Sequence, residues 1–321
     1  MPEIVIFLIS IAAVIKGAEW LGEGSVHIAK KLGISQLLIG ATLVSVATTL
    51  PETLIAFFAG VSAESGISFG TVIGSSAANL GLILGILFLF GHAHPKRGYF
   101  TRTINIFIFL LALVLVIGIG GTITILSGWI LLGLAIVYLT LEFFISRSEE
   151  SFIDRVEDRF EKIKSFVGHR DGHKDILYFI VGAIVLGVGA RFLVDSVVVI
   201  ATSMNIPTIV IGATAIAFGT SLPELANAVH SIIKGRLALS IGNLAGASVL
   251  DFTMALGAGA IINPIKVPKE TLILAIVALF VISLLSLLPV LTKIAVEKVG
   301  VALIFTFTIF ILLLVSTELA L

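Results

Sequence analysis

The chain has 321 residues, of which 58% are hydrophobic and 12% charged, and its 20 basic and 20 acidic residues cancel. A soluble domain carries about 25% charged residues, so this composition excludes an ordinary soluble enzyme, and the balanced charge gives no field for nucleic acid. The chain contains no cysteine, which excludes disulfides, thiolate metal sites and cysteine nucleophiles together.

Apolar runs long enough to cross a hydrocarbon core of about 30 Å recur along the whole length. The short alternating segments of a membrane barrel are missing. The expected class is an all-α polytopic membrane protein embedded in a lipid bilayer, with ten transmembrane helices over roughly 3–29, 35–60, 67–90, 103–119, 122–145, 176–202, 206–232, 237–263, 270–290 and 299–318. The start, Met-Pro-Glu before an apolar helix, lacks the basic region and cleavage site of a signal peptide.

Connections are short except for 146–175, which is dense in charge of both signs. There Phe152, Val156, Phe160, Ile163 and Val167 follow helical spacing. The segment reads either as an amphipathic helix on the membrane surface or as a solvated helical linker. His169 and His173 stand four apart in it, without a further ligand pattern. Of the 20 basic residues, Lys266 and Lys269 alone fall on one side of the ten-span scheme, Lys16 and Arg191 lie inside spans, and the other 16 share the opposite side. The positive-inside rule makes that side cytoplasmic in a plasma membrane, with both termini extracellular and 146–175 cytoplasmic.

The two halves repeat. Ile39-Gly40-Ala41-Thr42 leading to Thr48-Thr49-Leu50-Pro51-Glu52 returns 172 residues later as Ile211-Gly212-Ala213-Thr214 leading to Thr220-Ser221-Leu222-Pro223-Glu224, without a gap. At the same offset Gly17-Ala18 matches Gly189-Ala190, Ile34 matches Ile206 and Gly74 matches Gly246. The chain divides into a first five-helix repeat (1–145), the linker (146–175) and a second five-helix repeat (176–321). An odd number of spans per half turns the second copy over, giving two inverted repeats of the kind secondary transporters use, with a site near the midplane.

Proline removes a backbone donor and clashes with the preceding turn, so Pro51 and Pro223 are expected to kink or break spans two and seven. The carbonyls of Ser45 to Thr48 and of Ala217 to Thr220 are then candidates to line a cavity. Glu52 and Glu224 follow at once, and a lone charge at the bilayer centre costs at least about 2.5–3.5 kcal/mol on insertion scales. Carboxylates, hydroxyls and carbonyls make an all-oxygen set suited to a hard cation, Ca²⁺ above all. Soft metals want sulfur or imidazole, and only His230 is near. The plainer reading, kinks and hydrogen-bonded glutamates, has to explain the same arrangement twice in opposite orientations.

Spans three and eight carry a second matched pair, Gly74-Ser75-Ser76-Ala77-Ala78-Asn79 against Gly246-Ala247-Ser248-Val249-Leu250-Asp251. Small residues let helices approach closely. Asn79 and Asp251 match each other, and Asp251 adds a third acidic group to one half only. In spans one and six, Lys16–Glu19 and Arg191–Asp195 have the spacing of helical ion pairs, and Glu23 matches Asp195. Both interfacial snorkelling and the lining of an ion access path fit these groups.

The paired G-A-T…T-[TS]-L-P-E stretches, each followed by a G-S or G-A-S segment ending in Asn or Asp, resemble the two α-repeats of the calcium/cation antiporter superfamily. The prokaryotic sodium/calcium exchangers are the most similar branch. The resemblance covers both halves. It implies that Glu52 and Glu224 hold Ca²⁺, with backbone carbonyls from Thr48 and Thr220. It further implies that Ser45, Thr49, Ser75 and Asn79, with Ala217, Ser221 and Asp251, serve the counter-ion. It implies Ca²⁺ as substrate, with no separate cofactor, and H⁺ or Na⁺ as the counter-ion.

Two departures bear on that ion. The first motif reads Ala47-Thr48-Thr49 where Gly-Thr-Ser is usual, and Ala247 stands where sodium exchangers commonly carry a serine hydroxyl. A lost hydroxyl weakens a Na⁺ site while carboxylates still take protons, which tips the reading toward H⁺, although the Gly-Asn-x-x-Glu signature usual in H⁺/Ca²⁺ exchangers is absent. The expected function is therefore a non-enzymatic antiporter exchanging Ca²⁺ for H⁺ or Na⁺ by alternating access. A passive cation channel also uses acidic groups and carbonyls. An intramembrane protease would need two glycine-flanked aspartates, whereas Asp251 is the only one near the motifs, and no Ser/His or HExxH pattern occurs.

Overall fold

The computed structural model describes residues 2–31, 45–91, 95, 97–149, 172–234 and 237–320. Helix α1 (Pro2–Lys31) is followed by α2 (Ser45–Val61). The third helix, α3, runs over Ser65–Gly91 and includes a π-helical turn at Ala78–Ile83. Next come α4 (Arg97–Gly118), strand β1 (Thr122–Ile123) and α5 (Ile125–Glu149). The second half opens with α6 (Gly172–Met204). Helix α7 (Thr208–Thr220), with a π turn at Gly212–Ile216, meets α8 (Leu222–Lys234). Helix α9 joins Leu237–Leu250, a π turn at Asp251–Ala255 and Leu256–Ile262. Strand β2 (Ile265–Lys266), α10 (Lys269–Leu291) and α11 (Val296–Ala320) complete the described chain.

Seven of these helices are long and apolar enough to cross a membrane, or eight if the bent pair α7 and α8 is one span. Helix α1, at 30 residues, reaches about 45 Å at 1.5 Å per residue. It carries Glu3, Lys16 and Glu19 among its apolar residues. The molecule is an all-α polytopic membrane protein. The most apolar stretches of α3 and α9 are each 83% buried, against 28% for α5 and α11, which puts α3 and α9 at the centre and leaves the others an apolar face for lipid.

Among the described residues helix bounds fall within a few residues of the expected spans, with the start expected near 35 outside them, except at α4, which starts at Arg97 and not near 103. The extra turn carries Arg102, whose charge is met by Glu142, so a cation that looked like a flank belongs to the helix. Residues 32–44, including 39–42 of the first motif and Ile34, lie outside the described residues, as do 150–171 with the expected amphipathic stretch and His169.

The expected proline breaks differ between the halves. At Pro223 the axis bends by 41° between α7 and α8. Pro51 sits inside an unbroken α2. Hydroxyls back up the turn just before it: Thr49 Oγ1 donates to Ser45 O at 2.8 Å and Thr48 Oγ1 to the same carbonyl at 3.3 Å. Such local donors let a proline stay within a membrane helix.

Glycine sets the central packing. Gly66, Gly70 and Gly74 fall on one stripe of α3, and a β-carbon at Gly70 would lie 2.5 Å from Ile209 O of α7. One at Gly74 would lie 2.6 Å from the Ala217 β-carbon. This stripe is the small-residue seam of closely packed membrane helices.

Contacts recur with the halves exchanged. Gly74 packs on Ala217, and Gly246, 172 residues on from Gly74, packs on Ser45, 172 before Ala217. A β-carbon at Gly17 would come within 2.5 Å of Leu186 N, and one at Gly189 within 3.1 Å of Val14 N. Self-complementary exchange of this kind is what a two-fold relation between two units produces. The π turns at Ala78–Ile83 and Asp251–Ala255 also fall at matching places. Helices α1 and α6 share a separate apolar cluster (Val14, Leu186, Leu193, Val197) with the edges of α2 and α7, while most other helices share the main core.

Candidate ion-binding site

The middle of the molecule is where α2, α3, α9 and the α7–α8 bend meet. Ser45, Thr49 and Glu52 on α2, Ser75 and Asn79 on α3, Ala217, Thr220, Ser221 and Glu224 at the bend, and Asp251 on α9 are all buried, and Thr48 is half-buried. The residues expected to serve Ca²⁺ or its counter-ion are therefore all buried or half-buried on these four elements.

The contacts follow the repeat. Glu52 faces the side chain of Thr220, and Glu224 faces that of Thr48, the same pair with the halves exchanged. Thr48 Oγ1 donates to Ser45 O at 3.3 Å, and Thr220 Oγ1 to Ala217 O at 3.2 Å. Two carbonyls expected to face an ion thus already accept hydroxyls. The carbonyls that proline releases, four residues before Pro51 and Pro223, belong to Ala47 and Gly219.

The symmetry fails at the next layer. Ser75 Oγ donates to Glu52 Oε1 at 3.5 Å. The matching residue, Ala247, has no hydroxyl to offer Glu224. Ser76 Oγ instead donates to Asp251 Oδ2 at 3.1 Å, and Asp251 lies within electrostatic reach of both glutamates. Four oxygens of this region, Glu52 Oε2, Glu224 Oε2, Asn79 Oδ1 and Ser221 Oγ, are buried without a hydrogen-bond partner. A buried polar atom left so costs about 1–3 kcal/mol and calls for a partner. All four can accept, which is the chemistry a hard cation wants. Ser221 also borders a narrow crevice with Ala78, Leu82 and Phe218, away from the carboxylates.

Among the described residues no three carboxylates or imidazoles converge on one point as a ready cage. The donor set is instead two or three carboxylates spread among carbonyls and hydroxyls. The spaced ion pairs both form: Lys16 Nζ lies 2.6 Å from Glu19 Oε2, and Arg191 Nε lies 3.0 Å from Asp195 Oδ2. All four side chains are nearly half exposed within the protein, where a pair contributes at most about 1 kcal/mol. Arg191 also donates to Ser62 Oγ at 3.2 Å, tying α6 to the end of α2.

Sequence reasoning missed a polar layer beside the site. Ser45 Oγ donates to Asn243 Oδ1 at 3.2 Å. Tyr99, Tyr138 and the Arg102–Glu142 pair stand next to it. Glu142 is a carboxylate within an apolar span, the same signal that drew attention to Glu52, but it belongs to no repeated motif.

The chain matches the family described as "Sodium/calcium exchanger protein" over residues 3–144 and 174–316. It is 30% identical over 273 residues to the uncharacterized membrane protein MJ0091 of Methanocaldococcus jannaschii, covering 85% of each chain. It is 26% identical over 340 residues to the sodium/calcium exchanger MaX1 of Methanosarcina acetivorans, covering 96% of this chain and 97% of that one. Its fold is similar to that of the sodium-calcium exchanger NCX_Mj soaked with 2.5 mM Na⁺ and 0.1 mM Ca²⁺, with a TM-score of 0.66 and 27% identity, covering 97% of this chain and 98% of that chain. The chain thus belongs to the sodium/calcium exchanger protein family, of which MaX1 and NCX_Mj are exchangers and not enzymes.

Proposed function

We propose that the protein is a secondary antiporter of the plasma membrane that exchanges Ca²⁺ for a monovalent cation by alternating access, with H⁺ the favoured counter-ion. The observation that carries this reading is the pair of buried, unpartnered oxygens, Glu52 Oε2 and Glu224 Oε2, at matching places in the two halves. Glu52 and Glu224, with carbonyls from Thr48 and Thr220, would hold Ca²⁺. Ser45, Thr49, Ser75, Asn79, Ala217, Ser221 and Asp251 would serve the counter-ion. The scaffold would be ten spans in two inverted repeats, 1–145 and 176–321, joined on the cytoplasmic side, with both termini outside.

Coupling follows from charge. Without a cation the site holds buried carboxylates, and such groups are carried through a low-dielectric core only when paired or protonated. Either Ca²⁺ or protons cancel that charge, so loaded states reorient and the bare one does not. Helices α1 and α6, which share their own apolar cluster, would slide against the rest.

H⁺ is favoured by the third carboxylate, Asp251, and by Ala247 in place of a hydroxyl. Na⁺ is the second reading, favoured by the sodium/calcium exchangers among its relatives and by the unpartnered neutral oxygens of Asn79 and Ser221. Uptake of radioactive Ca²⁺ into proteoliposomes under a pH gradient or a Na⁺ gradient decides. Concentrative uptake under the pH gradient is expected, and Glu52→Gln should abolish it. No uptake under either gradient sinks the antiporter, dissipation without accumulation means a channel, and full activity of Glu52→Gln removes the site assignment.

A further inference from the structure

Three hydroxyls gather beside Gly246 of α9. A β-carbon there would meet Ser45 Oγ at 3.1 Å, Tyr138 Oη at 3.2 Å and Tyr99 Oη at 3.3 Å. Ser45 and Tyr138 are buried, and Tyr138 Oη has no hydrogen-bond partner. Tyr99 Oη donates weakly to Gly242 O at 3.4 Å, and Ser45 Oγ donates to Asn243 Oδ1. A tyrosine hydroxyl is usually partnered when buried, and here two stand together where the backbone offers no bulk.

The cluster has two neighbours. On the inner side Ser45 adjoins the ion site, since its carbonyl takes the hydroxyls of Thr48 and Thr49, about one turn before Glu52. On the outer side both tyrosines lie within electrostatic reach of Glu142. Glu142 is 1% exposed and accepts two hydrogen bonds from Arg102 Nη2, at 3.0 and 3.2 Å, while Arg102 is 28% exposed. A line of polar groups therefore leads from Ser45 to the end of the molecule where α4 begins and α5 ends, the end the basic residues assign to the cytoplasm.

At the matching positions of the other half the groups differ. Residues 172 further on from Tyr138, Glu142 and Arg102 are Phe310, Leu314 and Leu274, with Phe310 and Leu314 buried in the main apolar core, while Tyr99 is matched by Thr271, whose hydroxyl donates to the buried Glu318.

We propose that Tyr99 and Tyr138, with Glu142 held by Arg102, form the cytoplasmic proton route of this exchanger, an inference that rests on H⁺ being the counter-ion. A hydroxyl both donates and accepts. Each tyrosine oxygen takes one proton from the inner neighbour or an intervening water and passes its own outward, so the cluster ends as it began and no tyrosine changes charge. Glu142 with Arg102 gives the outer end a fixed acceptor.

Tyr138→Phe removes one oxygen, and Phe310 shows that a phenyl ring is accommodated at the matching place. The test compares pH-driven Ca²⁺ uptake with Ca²⁺/Ca²⁺ self-exchange in proteoliposomes, the second needing no proton transfer. For Tyr138→Phe, and separately for Glu142→Gln, pH-driven uptake should fall about tenfold while self-exchange stays within about twofold. Loss of both activities in both variants means a structural role and overturns the route. Unchanged pH-driven uptake in both overturns it while leaving H⁺ exchange standing. A wild type that shows no pH-driven uptake overturns the counter-ion reading and the route together.

Discussion

Ser75 and Ala247 occupy the same place in the two halves, and only one carries a hydroxyl. Ser75 reaches Glu52 Oε1 at 3.5 Å, Ala247 has no hydroxyl to offer Glu224, and the Oε2 of both glutamates is buried without a partner. Adding one oxygen at the empty place is the smallest change that restores symmetry. Ala247→Ser is expected to raise Na⁺-driven relative to pH-driven Ca²⁺ uptake by about tenfold, the worth of one net hydrogen bond or ion–dipole contact near 1.4 kcal/mol. An unchanged ratio would show that position 247 does not select the counter-ion. At this scale Glu52 and Glu224 were legible because each carboxylate follows the same proline motif, repeated 172 residues apart, in an apolar run. Ser76 on Asp251 and Ser45 on Asn243 were not, because serines on a small-residue helix declare no face until the neighbouring helix is in place.

The helices themselves were largely legible, since a long apolar run has few alternatives in a bilayer. What the sequence hid was how each responds to its proline. Pro51 and Pro223 stand in nearly identical words, yet α2 runs through one and the axis bends at the other. Around Pro51 the hydroxyls of Thr48 and Thr49 both reach Ser45 O, whereas before Pro223 position 221 is a serine whose hydroxyl is unpartnered. The close seam between α3 and α7 is the element most sensitive to bulk. At Gly74 a methyl group would meet the Ala213 α-carbon and the Ala217 β-carbon at 2.6 Å, and neither can swing away. Gly74→Ala should destabilise the detergent-solubilised protein by about 1–3 kcal/mol, as overpacking does. Gly133→Ala, on an exposed face of α5 with nothing within 4 Å, should be neutral or slightly stabilising, because alanine favours helix over glycine by about 1 kcal/mol. Equal thermal shifts in the two variants would refute the seam.

At the scale of the whole molecule, the exchanged contacts constrain what the two halves can do. Gly17 on Leu186 and Gly189 on Val14, with Trp20 meeting Tyr178 further along, make α1 and α6 an extended antiparallel pair away from the main core. The connections tell the same story at the rim. Thr122 pairs with Lys266 and Ile123 with Ile265, while Ser65 Oγ takes the Lys266 amide at 3.1 Å. The ends of α2, α4 and α9 therefore share one side, and the Arg102–Glu142 and Tyr99–Gly242 contacts hold the starts of α4 and α9 and the end of α5 at the other. This division is the one the basic residues draw, with Lys266 and Lys269 alone on the first side. Because the chain has no cysteine, single cysteines report it without a background. Gly120→Cys, at an open turn with nothing within 4 Å of its β-carbon, should react with a membrane-impermeant maleimide added outside intact cells. Lys298→Cys should react only after the membrane is opened. The reverse pattern would turn the molecule over and put the Tyr99–Tyr138 track on the outer face, and with it the direction in which protons would have to run.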